Sequence, residues 1–257
     1  MKAGGGLAAM AALGVAGVGV ARGQEASPVA SPAAGGGLEG RWAAVRNRTI
    51  IAGTPVDEMI AKIREGYVPL IQAIPGFVAY IGMVDPSSQE GAFATVFEDK
   101  AGADEGTVQA GAWLQENGYE WFEGEPHVTE GPLGIAEGAF AGDSGIATPA
   151  VGAGDLEGKY VAMRSRKLVD AAAAAALIEL IKEGFVPLIS TVPGFVAYMV
   201  ATNEETLDQF ALGVFDDKAG ADESTARAAE WGVQGAIELT PGDPVVFEGE
   251  IMLAVMA

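Results

Sequence analysis

The sequence has no cysteine and a single histidine, His127, among its 257 residues. The absence of cysteine excludes disulfide bonds, thiolate nucleophiles, cysteine-ligated zinc and a lipid anchor on an N-terminal cysteine. One histidine cannot supply a two-histidine metal site within one chain. A Ser-His-Asp triad would have to use His127, and no other motif supports one. We therefore predict no metal site and no bound cofactor.

Basic residues are scarce as well. Lysine and arginine number 15 against 35 aspartates and glutamates, so the formal net charge is −20 at pH 7. A chain of this charge repels nucleic acid and anionic membrane surfaces, and we predict neither as a partner. Charged residues make up only 19% of the chain and hydrophobic residues 49%, which suffices for one large core or two small ones.

The first 23 residues have the pattern of a secretory signal peptide. Lys2 precedes an apolar run from Leu7 to Ala21, and Ala21-Arg22-Gly23 offers a small-x-small cleavage site. The run is shorter than the roughly 20 apolar residues of a membrane-spanning helix, although an uncleaved anchor remains the alternative. Residues 24–37 are rich in Pro, Ala, Ser and Gly and predict a flexible linker. We expect an extracytoplasmic protein that is free of the membrane after cleavage.

Two segments, 38–139 and 156–257, repeat each other without a gap. Residues 65–71 (EGYVPLI) match 183–189 (EGFVPLI), so that Pro69 and Pro187 lie 118 positions apart. The same offset pairs PGFVAY at 75–80 with PGFVAY at 193–198, and DKAGADE at 99–105 with DKAGADE at 217–223. Such self-similarity establishes an internal duplication, with residues 140–155 as the linker between the copies.

Each copy carries the same predicted order of strands and helices. The predicted elements of the first copy are a strand at Arg41–Ile50, a helix from Thr54 to Ile71, strands at Phe77–Val84 and Ala92–Glu98, a helix at Ala103–Glu116 and a strand at His127–Ala136. Thr54 as N-cap and Pro55 in the first position open the first helix, and Asp170 is the predicted cap in the second copy. Gly66 and Pro69 should bend or break that helix near its end. The order β-α-β-β-α-β predicts a ferredoxin-like α+β unit.

This element order, with Pro-Gly-Phe before the second strand and a tryptophan in the second helix, resembles the antibiotic-biosynthesis-monooxygenase-like (ABM-like) domains. The resemblance covers nearly all of both copies. In that family, which belongs to the dimeric α/β barrel superfamily, two βαββαβ units pack sheet against sheet around a lumen. The resemblance implies that the two copies form such a barrel within one chain. We therefore expect a monomer with an internal pseudo-dimer, because the short linker holds the partner unit at an effective concentration of about millimolar or more.

Arginine occupies four equivalent positions on the first strands of the two copies: Arg46, Arg48, Arg164 and Arg166. Because side chains alternate along a strand, these arginines share a face with Trp42 or Tyr160, whereas Val45 and Asn47 lie on the opposite face. We expect the smaller set to pack under the helices and the aromatic and arginine set to face the lumen.

Four guanidinium groups in one cavity would need anionic partners, because an unpaired buried charge is costly. One interpretation is a binding site for an acidic or phenolate-like ligand. The alternative is ion pairing with protein carboxylates such as Glu98, Glu130 or Asp216.

Tyr80 and Tyr198 occupy equivalent positions on the second strands and could hydrogen-bond a ligand or serve as core residues. Haem-degrading members of the family use an asparagine on the first strand, a tryptophan on the second helix and a histidine that binds iron. Asn47 and Trp113 match the first two, but His127 lies beyond the helix and does not match the third. The resemblance thus favours the branch that oxidises polyphenols or quinols without a cofactor. Its candidate catalytic residues here are Asn47, Trp113, Tyr80 and Tyr198.

Three functions remain open at this point: an oxygenase acting on a small phenolic or quinol compound in the lumen, a barrel that binds a small ligand without turnover, and a structural barrel filled by side chains. A shared fold does not separate them. The copies differ at Asn47, which corresponds to Ser165, and at His127, which corresponds to Val245. Any site should therefore be asymmetric.

Overall fold

The computed structural model describes residues 37–141, 155–233 and 235–257. The predicted signal segment and nearly all of both predicted linkers lie outside these ranges. Within the described residues, no helix combines the length and apolarity needed to cross a membrane.

The described residues form eight strands and six α-helices. The strands are β1 (Trp42–Ile50), β2 (Phe77–Asp85), β3 (Glu90–Phe97), β4 (Phe122–Gly138), β5 (Tyr160–Lys167), β6 (Phe195–Asn203), β7 (Asp208–Phe215) and β8 (Val245–Met256). The helices are α1 (Val56–Lys62), α2 (Val68–Gln72), α3 (Lys100–Asn117), α4 (Ala172–Leu180), α5 (Val186–Ile189) and α6 (Lys218–Val233). Because α1 and α2 are halves of one helix, as are α4 and α5, each repeat has the predicted β-α-β-β-α-β order.

The eight strands close into one antiparallel barrel in the order β1-β3-β2-β8-β5-β7-β6-β4. Each repeat contributes a four-stranded sheet, β4-β1-β3-β2 or β8-β5-β7-β6. The edge strands of the two sheets pair with each other, β2 with β8 and β4 with β6. The predicted fold class, two ferredoxin-like units in an intramolecular barrel, is confirmed.

Apolar side chains from all eight strands fill the lumen. Ala43 and Val45 lie there with Met83, Met163 and Met199, all at 1% exposure or less. An eight-stranded barrel is only wide enough to be filled by side chains. The expectation that the arginine face lines the lumen is therefore wrong. The narrow interior takes the small face of β1, and the arginine face lies under the helices.

Paired contacts between the repeats show the internal symmetry of the barrel. Arg64 of repeat 1 pairs with Glu157 of repeat 2 at 2.9 Å. At the positions 118 residues away, Lys182 of repeat 2 pairs with Glu39 of repeat 1 at 3.5 Å. The same surface is thus used twice, as in a two-fold dimer, although both partners belong to one chain.

The first helix of each repeat contains a π-helical turn where the sequence predicts a bend or break. Val68 donates its backbone N–H to the carbonyl of Ile63, five residues earlier, and the helix then continues. Pro69 has no N–H to donate, and the wider turn accommodates this loss without ending the helix. A Cβ at Gly66 would lie 3.0 Å from the Trp113 ring, so glycine lets α3 approach the turn closely.

The predicted helix caps are confirmed in one copy only. Asp170 accepts a hydrogen bond from the Ala173 N–H at 2.9 Å, as expected of a capping aspartate. In repeat 1 the prediction is wrong. Pro55 itself occupies the N-cap position in an extended conformation, and no side chain caps the helix.

The two sheets approach each other closely at Gly131, where β4 pairs with β6, and a substitution there can test this approach. A Cβ at Gly131 would lie 2.5 Å from the Thr202 carbonyl oxygen, an atom that cannot rotate away. We expect Gly131→Ala to lower the free energy of unfolding by about 1–3 kcal/mol through overpacking. The measurement is chemical denaturation followed by circular dichroism.

The matched control is Gly111→Ala on the exposed side of α3, where a Cβ meets nothing within 4 Å. This change should raise the free energy of unfolding by about 0.5–1 kcal/mol, because alanine loses less conformational entropy in a helix than glycine. Equal effects of the two substitutions would contradict the close approach.

The closed barrel also predicts the oligomeric state. Because β2, β4, β6 and β8 all find their partners within the chain, no sheet edge remains for a second copy. Sedimentation equilibrium should give the mass of one chain. A dimer that persists on dilution would contradict this prediction.

Candidate functional site

Each repeat has a cavity between the outer face of its sheet and its helices. The repeat 1 pocket has a cavity volume of about 40 Å³, and about 420 Å³ of empty space when its solvent-open mouth is included. By the 10–15 Å³ that one water requires, the cavity volume holds roughly three waters. Its lining residues are Arg46, Arg48, Ile63, Tyr67, Tyr80, Phe93, Thr95, Ala110, Trp113, Leu114 and Phe122.

A connected set of rings forms the wall of the repeat 1 pocket. Tyr67, at the end of the π-helical turn, packs edge-on against Tyr80 with ring centroids 5.6 Å apart. The Tyr67 ring lies 5.7 Å from Trp113, which in turn lies 6.0 Å from Trp121. Such contacts stabilise beyond the area they bury and fix the ring orientations. The wall is therefore set by helix-to-sheet packing before any ligand arrives.

Tyr80 supplies a neutral hydroxyl to this pocket. Its side chain is 3% exposed, and its hydroxyl makes no hydrogen bond to another described residue. Burial, and then the neighbouring Tyr67, raise the pKa of Tyr80 well above its usual value. Burial likewise raises the pKa of Tyr67 to about 12, and that hydroxyl lies 3.4 Å from the Gly106 carbonyl. Tyr80 thus keeps its proton and can donate it in a hydrogen bond.

Arg46 and Arg48 bring positive charge to the same pocket. Arg46 is 7% exposed and donates hydrogen bonds to the hydroxyls of Thr107 and Thr95, the latter at 3.4 Å. The side chain of Arg48 makes no hydrogen bond to another described residue. Its guanidinium carbon lies 5.0 Å from the Phe122 ring centroid. Burial, and then the charge of Arg46, lower the pKa of Arg48, but a guanidinium stays protonated under all ordinary conditions.

The ion-pair alternative for the arginines is not supported. None of the ion pairs among the described residues includes any of the four first-strand arginines. Of the carboxylates proposed as partners, Glu130 lies 4.0 Å from Lys100 and Asp216 lies 2.6 Å from Lys159. The repeat 1 pocket therefore carries a positive charge that no described carboxylate neutralises in direct contact.

The repeat 1 pocket leads into a second, larger cavity near the end of α3. This outer basin measures about 130 Å³ and includes Gln115, Tyr119 and Glu125. Arg48, Leu114 and Phe122 line both spaces and so form the passage between them. A ligand larger than one ring would extend through this passage into the basin.

The repeat 2 pocket occupies the equivalent place, with a cavity volume of about 50 Å³ and about 470 Å³ including its mouth. Arg166 and Tyr198 stand where repeat 1 has Arg48 and Tyr80. Burial raises the pKa of Tyr198, so this hydroxyl also stays protonated.

The rest of the repeat 2 lining is partly kept and partly changed. Four further lining residues are identical to their counterparts in repeat 1, namely Arg164, Ile181, Ala228 and Trp231. The others are Leu177, Phe185, Gln209, Ala211, Gly232, Ala236 and Thr240.

The structure brings together seven of the eight predicted site residues, in two pockets rather than in one lumen. Arg46, Arg48, Tyr80 and Trp113 line the first, and the remaining three lining residues belong to the second: Arg164, Arg166 and Tyr198. That makes seven residues in the two pockets, and Asn47 alone lies apart. It alternates to the lumen side of β1, where its register partner on β4 is the exposed His127.

Tyr67, Phe93 and Phe122 also line the repeat 1 pocket, although they are not among the predicted site residues. Tyr67 recurs as Phe185 in the repeat and lies on the apolar face of its helix, which signals a position against the sheet. Neither pocket contains histidine, and the described residues include no cluster of three or more His, Cys, Asp or Glu side chains suited to a metal ion. The residues present therefore do not fit a histidine-ligated haem.

Comparison with solved structures identifies the fold. A candidate monooxygenase from Fusobacterium nucleatum matches with a TM-score of 0.60 and 11% identity, over 85% of this chain and 95% of that one. A candidate monooxygenase from Lactobacillus acidophilus matches with a TM-score of 0.57 and 13% identity, over 85% and 97%. An anthrone oxidase-like protein matches with a TM-score of 0.57 and 14% identity, over 85% and 94%.

No protein-family model and no curated protein matches the chain. The structural matches extend over most of both chains, so the likeness includes both repeats rather than one. At these identities the likeness concerns the fold. The chain shares the fold of these solved structures, and both units of its barrel are supplied by its own tandem repeats.

Proposed function

We propose that the repeat 1 pocket binds a small phenolic or quinol compound and that the protein is a monooxygenase that oxidises it with molecular oxygen, without a cofactor. The observation that carries the proposal is the Arg48 guanidinium, which has no anionic contact and lines an aromatic cavity together with the Tyr80 hydroxyl. A phenolate oxygen would supply the missing anion.

The electrostatics of the pocket favour the ionised form of such a ligand. A positive charge within about 4–6 Å lowers the pKa of an acid, and the low polarity of the aromatic wall strengthens that interaction. Tyr80 keeps its proton and donates a hydrogen bond to the same oxygen, which again favours the anion. No lining residue of the pocket is a carboxylate, so the released proton leaves through the outer basin, where Glu125 and solvent can accept it.

Ionisation prepares the ligand for reaction with oxygen, because a phenolate gives up an electron more readily than a phenol. Insertion of one oxygen atom at the ring carbon opposite the hydroxyl converts a phenol and O₂ into a para-quinone and water. Four electrons leave the phenol, and four reduce O₂, so the step needs no other reductant. The chain's own residues hold the anion, orient the ring and exclude water.

The structural comparisons support this class of reaction. Two of the matching structures are named as candidate monooxygenases and a third as anthrone oxidase-like. The site differs from the one expected in the lumen, because the apolar core leaves that interior filled. The proposed substrate is therefore bound on the outer face of the sheet, under the helices.

Binding without turnover is the second candidate. The absence of a carboxylate or histidine among the lining residues of the repeat 1 pocket favours it, since no general base is present to complete proton transfer there. Saturable binding of a phenol with no oxygen uptake would select this alternative.

Arg48 and Tyr80 provide the test, with their repeat 2 counterparts as matched controls. With 1-naphthol as the probe, a phenol whose para carbon carries hydrogen and which the proposed step would convert to 1,4-naphthoquinone, we expect Arg48→Ala to lower kcat/KM for oxygen uptake by about 10- to 100-fold, because a charge-assisted hydrogen bond is lost. Tyr80→Phe should lower it by about 5- to 10-fold, since the lost bond is neutral. The measurement is oxygen consumption with an oxygen electrode, together with quinone absorbance.

Arg166→Ala and Tyr198→Phe make the same chemical changes in the other pocket and should leave this activity within about twofold. If the repeat 2 variants lost as much kcat/KM as the corresponding repeat 1 variants, the repeat 1 pocket could not be the site of the reaction. Unchanged activity in both Arg48→Ala and Tyr80→Phe would do the same.

We also propose that the protein acts outside the cytoplasm. The pattern of Lys2, the apolar run and Ala21-Arg22-Gly23 supports removal of residues 1–23 on export. Intact-mass measurement of the protein from its own host should give a chain that begins at Gln24. A mass that retains Met1 in the cytoplasmic fraction would contradict export.

A further inference from the structure

The two pockets have diverged in the residues that surround their equivalent arginines. In repeat 1, Arg48 faces Gly91 across the β1–β3 ladder. In repeat 2, Arg166 faces Gln209 across the β5–β7 ladder. Arg166 thus has the carboxamide of Gln209 as its cross-strand neighbour, whereas Arg48 has a glycine there.

Other substitutions in repeat 2 remove aromatic surface from the same place. Phe93 corresponds to Ala211, Phe122 to Thr240 and Leu114 to Gly232. The ring over which Arg48 lies in repeat 1 is consequently missing beside Arg166. The repeat 2 pocket exchanges an aromatic surface for hydrogen-bonding groups and open space.

Three unpartnered polar groups meet in the repeat 2 pocket. Gln209 is 3% exposed and Tyr198 is 2% exposed, yet neither side chain makes a hydrogen bond to another described residue. The guanidinium of Arg166 takes part in no ion pair or hydrogen bond with another described residue. The side-chain polar atoms of Gln209 and Tyr198 are not among the fully buried unsatisfied ones, so they are accessible from the pocket and can bond to a molecule that enters it.

Apart from Arg164 and Thr240, whose side chains donate hydrogen bonds to Thr225 and to the Ala236 carbonyl, the rest of the lining is apolar. Leu177 and Ile181 lie on the helix side, and the ring centroids of Phe185 and Trp231 lie 5.2 Å apart. These surfaces suit a compact hydrocarbon body. The pocket as a whole therefore combines a polar end, at the sheet, with an apolar side, at the helices.

We propose that the repeat 2 pocket is a second binding site, which takes a small apolar carboxylic acid in its ionised form. The carboxylate accepts hydrogen bonds from Arg166, Gln209 and Tyr198, and the hydrocarbon body packs against Trp231. A carboxylate has about four acceptor positions and can satisfy three donors together, whereas a single phenolate oxygen offers fewer. The site differs from the repeat 1 pocket in its ligand class and in its residues.

Two protein carboxylates bear on this site. Glu248 accepts a hydrogen bond at 2.8 Å from Thr225, which also accepts one from Arg164 at 2.6 Å, so Glu248 is already engaged away from Arg166. Asp243 acts on Arg166 at longer range and raises its pKa, against the larger lowering by burial, without forming an ion pair. Asp243 therefore competes weakly with an incoming carboxylate.

Benzoate is the probe, with benzamide as its uncharged counterpart. Isothermal titration of the full chain carrying Arg48→Ala removes the free arginine of repeat 1 and leaves the second site intact. We expect one benzoate per chain with a Kd of about 1 mM or tighter. Adding Arg166→Ala or Gln209→Leu should weaken binding at least tenfold, while Asp243→Asn should tighten it about two- to threefold.

Several results would overturn the proposal: no saturable benzoate binding up to about 10 mM, benzamide binding as tight as benzoate, or benzoate binding that Arg166→Ala and Gln209→Leu leave unchanged. Thermal unfolding of each variant shows whether it is folded. If Arg166→Ala fails to fold, the effect of Gln209→Leu on benzoate binding still tests the proposal. Because this readout is binding at repeat 2 in a chain without Arg48, its outcome is independent of oxygen uptake at repeat 1.

Discussion

The narrow lumen of the closed eight-stranded sheet is the constraint on which the rest of the molecule depends. The interior admits only side chains such as Ala43, Val45 and Met163, and these exclude ligand and charge alike. β1 and β5 must then present their arginine-bearing faces to the helices. The arginines and tyrosines of both repeats consequently lie between sheet and helix, and the space left there becomes the two pockets.

The shape of each pocket follows from how its helices sit on the sheet. The π-helical turn before Pro69 carries Tyr67 toward Tyr80, and Gly66 allows Trp113 to approach the same turn. Backbone geometry and aromatic packing are thus coupled at one point of the fold. A change in the turn would move the wall of the pocket without touching the sheet.

Duplication within one chain has freed the two sites to diverge. The contacts that hold the barrel together are kept in both copies, as in the pairs Arg64–Glu157 and Glu39–Lys182. Some residues inside the pockets are not kept, such as Phe93 (Ala211) and Phe122 (Thr240), because neither site is needed to close the barrel. A homodimer with identical units could not combine an aromatic pocket with one that carries a buried carboxamide.

The sequence by itself determined the duplication and the element order, because a constant offset and the pattern of strands and helices are local properties of the chain. The barrel was implied only by the resemblance of that order to a known family. It also identified the residues that could bear chemistry, among them Arg48, Tyr80 and Trp113. Only the tertiary structure decided which face of β1 turns inward and that Asn47 is separated from the pocket. Alternation divides a strand into two faces but does not say which is buried in the barrel, since that depends on how much room eight strands leave when they close.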